Sequence, residues 1–221
     1  MSTPNYGDKV STVGDIIRYP KRVLIQALKA GFSERHLFSA GPEPFENPFL
    51  YTKDAAGETA KDSKLEIADM WTTELNNTDP RPCVISQRST VTWRRGGIGS
   101  LNRMDVPGGN WKEFVDQVRI PLNFLCFSRK DVESEELSVA VALFLRLFRE
   151  KHLKNTKMFI LDDPDIGMTT PILNDAEQEI FSTPVSTGTM LTVLWKVTYT
   201  DPKNASNFTI NVTAKELQQV D

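Results

Sequence analysis

The chain is poor in the side chains on which most enzyme chemistry rests. Its 221 residues include two histidines and two cysteines, too few for the clustered His and Cys ligands of a structural zinc site. His36 falls in an expected loop and His152 at an expected helix end, where a cation complements the helix dipole, so neither reads as a general base. No run approaches the ~18 apolar residues of a membrane-spanning helix, and the opening Met1-Ser2-Thr3-Pro4-Asn5-Tyr6-Gly7-Asp8 is too polar for a secretory leader. A cytosolic site of synthesis, with no membrane partner, is expected. The formal charge of -3 supplies no generally basic surface, so any contact with nucleic acid has to be local. Cys83 and Cys126 both fall on the apolar faces of expected strands, where a thiol behaves as a small hydrophobe and a disulfide would need the strands in a suitable register.

What is present is a strong pattern across residues 82–154. From Cys83 to Trp93 the odd positions Cys83, Ile85, Val91 and Trp93 are apolar, while Ser86, Arg88, Thr90, Thr92 and Arg94 fill the even side. From Val118 to Cys126 the even positions Val118, Ile120, Leu122, Phe124 and Cys126 are all apolar. A period of two marks half-buried strands, and the glycine-rich stretch between them makes a long protruding β-hairpin. A helix over 133–154 follows, with Ser128 or Asp131 to cap it. Glu133, Glu135 and Glu136 lie in its first turns and Arg146, Arg149, Lys151 and His152 near its end, as the helix dipole favours. Leu137, Val141, Phe144, Leu145 and Phe148 give it a face to lay on the sheet.

The remaining elements are sparser. Pro20 at a first turn and Gly31 just past the last bracket a first helix, with Val23, Leu24, Ala27 and Leu28 as its apolar stripe. Residues 36–66 carry Gly41-Pro42-Glu43-Pro44, Asn47-Pro48 and the polar run from Lys53 to Lys64, and read as an irregular insertion with Phe49-Leu50-Tyr51 as its one short strand. Residues 67–75 read as either a strand or a short helix. After the major helix come a short strand at 157–161, a turn at Asp162-Asp163-Pro164-Asp165, and an irregular stretch from Pro171 to Pro184. Leu191, Val193, Trp195, Val197 and Tyr199 mark a last core strand, and Phe208, Ile210 and Val212 an added edge strand. Together these describe one α+β domain over 1–221, an antiparallel or mixed sheet packed against two helices, with a C-terminal extension at 201–221.

Three places invite a chemical reading. Asp162, Asp163 and Asp165 offer carboxylates to a hard cation, but Asp and Pro also favour turns for backbone reasons, and the spacing is not that of a calcium loop. Gly96-Gly97-Ile98-Gly99 lacks the Lys-Ser/Thr and following helix of a phosphate cradle. The hairpin tip brings together Arg94, Arg95 and Arg103 with Trp111; it reads either as a solvated, mobile loop or as a small basic patch suited to an acidic protein surface before a phosphate backbone. Phe45, Phe49 and Tyr51 in the insertion either anchor a neighbouring subunit or cover their own core.

The run Arg81-Pro82-Cys83-Val84-Ile85-Ser86-Gln87-Arg88, then Trp93, then Cys126-Phe127-Ser128-Arg129, then Val132-Glu133-Ser134-Glu135-Glu136-Leu137 opening a helix, resembles neck and tail proteins of tailed bacteriophages, and most of all the tail terminator group. The resemblance covers residues 12–32 and 81–200; the insertion and the stretch after Asp201 depart from it. It implies a virion protein without cofactor or catalytic residues, made in the host bacterial cytoplasm. Such a protein forms a homo-oligomeric ring, a hexamer, at the head-proximal end of the tail, meets the tail tube protein and the neck or connector proteins, and touches DNA passing through it. A head-completion, stopper or other neck adaptor role stands beside this reading, and a metal-assisted hydrolase using Asp162, Asp163 and Asp165 stands far behind it.

Overall fold

A computed structural model describes residues 13–34, 47–55, 59–70, 81–95, 104–105, 111–153, 159–173, 179–199 and 208–214. Two helices, α1 (Val13–Phe32) and α2 (Asp131–Phe148), pack on one mixed sheet. Its strands are β1 (Glu66–Asp69), β2 (Cys83–Arg88), β3 (Thr92–Arg95), β4 (Met104–Asp105), β5 (Trp111–Ser128), β6 (Ile160–Leu161), β7 (Asp165–Ile166), β8 (Thr170–Leu173), β9 (Glu179–Tyr199) and β10 (Phe208–Ala214). The order across the sheet is β1-β2-β5-β9-β10, with β3 and β4 also on β5, and β6, β7 and β8 also on β9. Among the described residues only the β1–β2 pair is parallel.

The central ladder is β5 against β9, continuous from Trp111↔Thr198 to Ser128↔Phe181. From Val118 to Cys126 the even residues of β5, and from Thr183 to Val193 the odd residues of β9, point to the helical face. Val118, Ile120, Leu122, Phe124 and Cys126 therefore join Val185, Leu191 and Val193 in the main core with Leu137, Val141 and Leu145 of α2. β9 is far longer than the expected strand at 191–199, and the expected irregular stretch 171–184 holds β8 and the start of β9. Three of the inward positions of the first half of β9, Thr183, Thr187 and Thr189, carry hydroxyls, which hydrophobic periodicity does not register. Thr189 Oγ1 donates to the Ile120 carbonyl and Thr187 Oγ1 to the Asp162 carbonyl, each at 2.9 Å.

The first expected strand divides in two. Arg88 pairs with Leu122 and Thr92 with Arg119, so Ser89, Thr90 and Val91 face only Pro121 and Ile120: a one-residue bulge, which moves side chains to the other face. Before it, Cys83 and Ile85 point away from the helices into a small cluster with Phe127, while Val84, opposite Cys126, joins the main core. After it, Trp93 stands opposite Val118 on the helical face. The odd-numbered apolar residues are thus not one face. Cys83 pairs with Phe127 and Cys126 with Val84, which puts the two cysteines on opposite faces; both are free and buried.

α1 starts at Val13, and Pro20 lies inside it instead of at its first turn. Ile16, Val23, Leu24, Ala27, Leu28 and Phe32 recur at helical spacing and are buried. Gly31 is within the helix, not beyond it, and its missing side chain makes room for the Phe144 ring of α2. Lys21, itself buried, reaches from α1 to the carboxylate of Asp69 at the end of β1. The N-cap of α2 is Lys130, which offers no side-chain hydrogen bond. The two expected caps act from either side of it: Ser128 Oγ accepts from Lys130 N at 3.2 Å and bonds to Glu133, and Asp131 Oδ1 accepts from Val132 N at 2.7 Å. The far end opens into a π-helical turn, Arg149–Leu153.

The described part of the insertion is integral to the core. Asn47 Nδ2 donates to the carbonyls of Phe32 at 3.1 Å and Glu34 at 3.3 Å, satisfying the end of α1, while its Oδ1 accepts from Phe49 N at 3.0 Å. Further along, Lys64 N donates to Leu50 O, Thr52 N to Ser63 Oγ, and Arg81 Nη1 to the carbonyls of Ala60 and Ser63. A segment so pinned is part of the fold and not an excursion from it.

Candidate assembly surface

The hairpin tip is partly in view. β3 places Arg94 opposite Gln117 and Arg95 opposite Asp116; Arg94 is exposed. Trp111 opens β5 opposite Thr198. Arg103 lies outside the described residues, as do Phe45 and His36. Met104 and Asp105 pair with Glu113 and Lys112, which joins β4 to the start of β5. Arg94 is thus the one arginine of the expected patch whose exposure is established.

Phe49 and Tyr51 are not available as exposed anchors. Their exposures are 4% and 2%, because the hydrogen bonds from Asn47, and Tyr51 N to Phe32 O at 3.0 Å, fold the segment back on α1. Lys29 stands over the Tyr51 ring at 5.5 Å, a cation–π contact that covers its remaining face. Of the two uses open to these aromatics, covering their own core is the one observed.

The aspartate turn does not converge on a point. Asp162 pairs with Arg119 at 3.2 Å and Asp163 with Arg149 at 2.8 Å, and the Arg149 hydrogen bond holds the Asp163 carboxyl below its ordinary pKa. Asp165 is an exposed residue of β7. Two arginines from different elements thus divide the carboxylates, and among the described residues no three His, Cys, Asp or Glu side chains group as metal ligands would. His152 sits in the π-helical turn. An open groove of about 520 Å³, lined by Ala30, Ser33, Leu50, Tyr51, Thr52 and Lys53, has no paired acid and base.

α2 also carries an exposed apolar stripe. α2 buries Ser134, Leu137, Ser138, Val141, Ala142, Leu145 and Phe148, yet Val132, Val139, Leu143 and Leu147 are 43–59% exposed. At 100° per residue these four lie on the side of the helix opposite the core. A second apolar patch follows the β7–β8 edge, where Met168 is 83% and Leu173 72% exposed and Ile166 and Ile172 are also open. The signal for the helix stripe was in the sequence: α2 has more apolar residues than one buried face uses. No such signal marked β7–β8, whose strands are too short to show a period.

No protein-family model matches this chain, and no curated protein shows significant similarity to it. Among the described residues no helix is long and apolar enough to cross a membrane.

Proposed function

We propose that this chain is a structural protein of a tailed-phage virion, forming a ring at the head-proximal end of the tail that ends tube growth and presents a surface to the neck. The observation that carries the reading is that the sheet ends in two unlike edges. β1 pairs only with β2 among the described residues, and the opposite edge carries β7 and β8 with Met168 and Leu173 exposed. Unlike edges on opposite sides of one subunit suit head-to-tail contact, the heterologous type that closes rings. The mechanism is geometric. Each copy covers the apolar edge of the next, the closed ring seats on the tube, and its far face no longer repeats the tube's own binding surface.

The test is imaging of particles made without the protein, complemented by wild type or by Met168→Asp/Leu173→Asp. Overlong tails without it, corrected by wild type and not by the double variant, are expected. Separate full heads beside tails of normal length would replace termination with a joining role, and normal particles from the double variant would remove the edge from the assembly.

A further inference from the structure

The exposed stripe of α2 lies on a different element from the ring-closing edges, and its charges are arranged to fit itself. Glu136 lies beside the stripe in the N-terminal half and Arg146 beside it in the C-terminal half. Neither makes a side-chain hydrogen bond or ion pair with another described residue, although Arg146 lies near enough to Asp163 to help hold its carboxyl low; the ion pairs nearby are Arg149 with Glu150 and Asp163. Glu135, on the same side of the helix, is already engaged by Thr169 Oγ1 at 3.1 Å. We propose that α2 pairs antiparallel with α2 of a second copy of this chain, about a two-fold axis at the level of Val141.

In that register each residue faces the one whose number brings the sum to 282. Val139 then meets Leu143 of the second copy, and Glu136 meets Arg146, with both contacts made twice by symmetry. Sliding the helices by three or four residues keeps apolar contact but separates Glu136 from Arg146, so the charges select the register. Antiparallel helices also set the acidic start of one, Asp131 and Glu133, near the basic end of the other. At the ends Val132 lies against the stem of Glu150, whose carboxylate Arg149 holds at 3.2 Å. A parallel pair would instead place Glu136 on Glu136 and Arg146 on Arg146. Glu136 within an acidic first half opposes seating on an anionic lipid surface, and a foreign helix would have no reason to carry this chain's own charge order in reverse. The contact is two-fold, so it ends at two copies and leaves the edges that close a ring unused.

Site-specific cross-linking on the full chain tests this, because both native cysteines are buried. With a rise of about 1.5 Å per residue, Leu143 lies ~6 Å along the axis from Leu143 of its mate, whereas Val132 lies ~27 Å from its own. Leu143→Cys should therefore cross-link with a short bis-maleimide and Val132→Cys should not. Adding Glu136→Arg or Arg146→Glu to Leu143→Cys should reduce the cross-linked fraction at least several-fold, and adding both should restore it. Cross-linking at both positions would mean a parallel pair, none at either would mean another occupant or none, and failure of the double reversal to restore it would break the register; each overturns the proposal. The readout does not depend on tail length, so this contact and the ring can fail separately.

Discussion

Replacing Gly31 with alanine sets two effects of known size against each other. Inside a helix alanine is favoured over glycine by about 1 kcal/mol, so at an open position the change would stabilise α1. At Gly31 the new methyl would lie 2.7 and 2.8 Å from Cζ and Cδ2 of Phe144, and nearer still to Cε2. The ring cannot simply step aside. It packs between Phe32, with centroids 6.1 Å apart, and Phe148, stacked at 6.0 Å. Overpacking costs about 1–3 kcal/mol, and each disturbed aromatic pair a further ~0.5–1.5 kcal/mol. Strain therefore exceeds the propensity gain, and Gly31→Ala should destabilise by about 1–5 kcal/mol. Urea unfolding reads this as a lower midpoint at unchanged slope. Phe144→Leu removes the colliding ring edge, so Gly31→Ala/Phe144→Leu should be less destabilised than the sum of the single changes. A raised midpoint for Gly31→Ala, or strict additivity in the double variant, would refute the close approach of the two helices.

Leu137→Ala should cost about 2–5 kcal/mol because its side chain is wholly buried, whereas Val139→Ala, two positions along on the outer stripe, should stay within about 0.5 kcal/mol in dilute monomer; equal effects by chemical denaturation would mean that α2 is rotated. Ser134 Oγ donates to the Cys126 carbonyl and bonds to Thr183 Oγ1, both at 2.8 Å, and Thr183 in turn bonds to Thr169 at 2.9 Å, so Ser134→Ala should cost about 1–3 kcal/mol. An unchanged unfolding midpoint would show that this hydroxyl chain does not tie α2 to the sheet. Burial pushes the Cys83 thiol up to about 12 and Cys126 higher still, so both should resist alkylation in the folded protein near pH 9. Because the folded values lie above the ordinary 9.0, their contribution is full below pH 9 and lost as pH rises towards 12. The fall in stability over that window should be shallower in Cys83→Ala/Cys126→Ala, by up to about 1.4 kcal/mol per pH unit per thiol; rapid labelling of native protein, or identical slopes, would contradict this burial.

The elements with one apolar face on a single period were legible: the even side of β5, the inner face of α2 and the later half of β9. Three others were not. Apolar residues stand at odd positions on both sides of the bulge, so Cys83 and Trp93 looked like one face although the extra residue between Arg88 and Thr92 turns them apart. The first half of β9 buries Thr183, Thr187 and Thr189 where a period-two search expects aliphatics. Phe49 and Tyr51 sit among glycines, prolines and charges, yet one buried side chain, Asn47, supplies the polar contacts that fold them inward. At the surface, the arginines mark the hairpin tip, whereas Val139, Leu143 and Leu147 of the α2 stripe blend with the apolar residues of its inner face.

The order of the strands also governs how the chain must be made. β5 takes β2, β3 and β4 as partners on one side from segments already synthesised, but its other side waits for β9, beyond α2 and the whole β6–β8 region. From the completion of β5 until β9 emerges, its second edge, eighteen residues long, can pair with any strand that reaches it. Closure over such a separation is slow compared with local hairpin formation. Co-translational association, chaperone dependence and loss to inclusion bodies are therefore set by one long strand and the delay before its partner arrives, and slower elongation between residues 129 and 178 should lengthen that exposure.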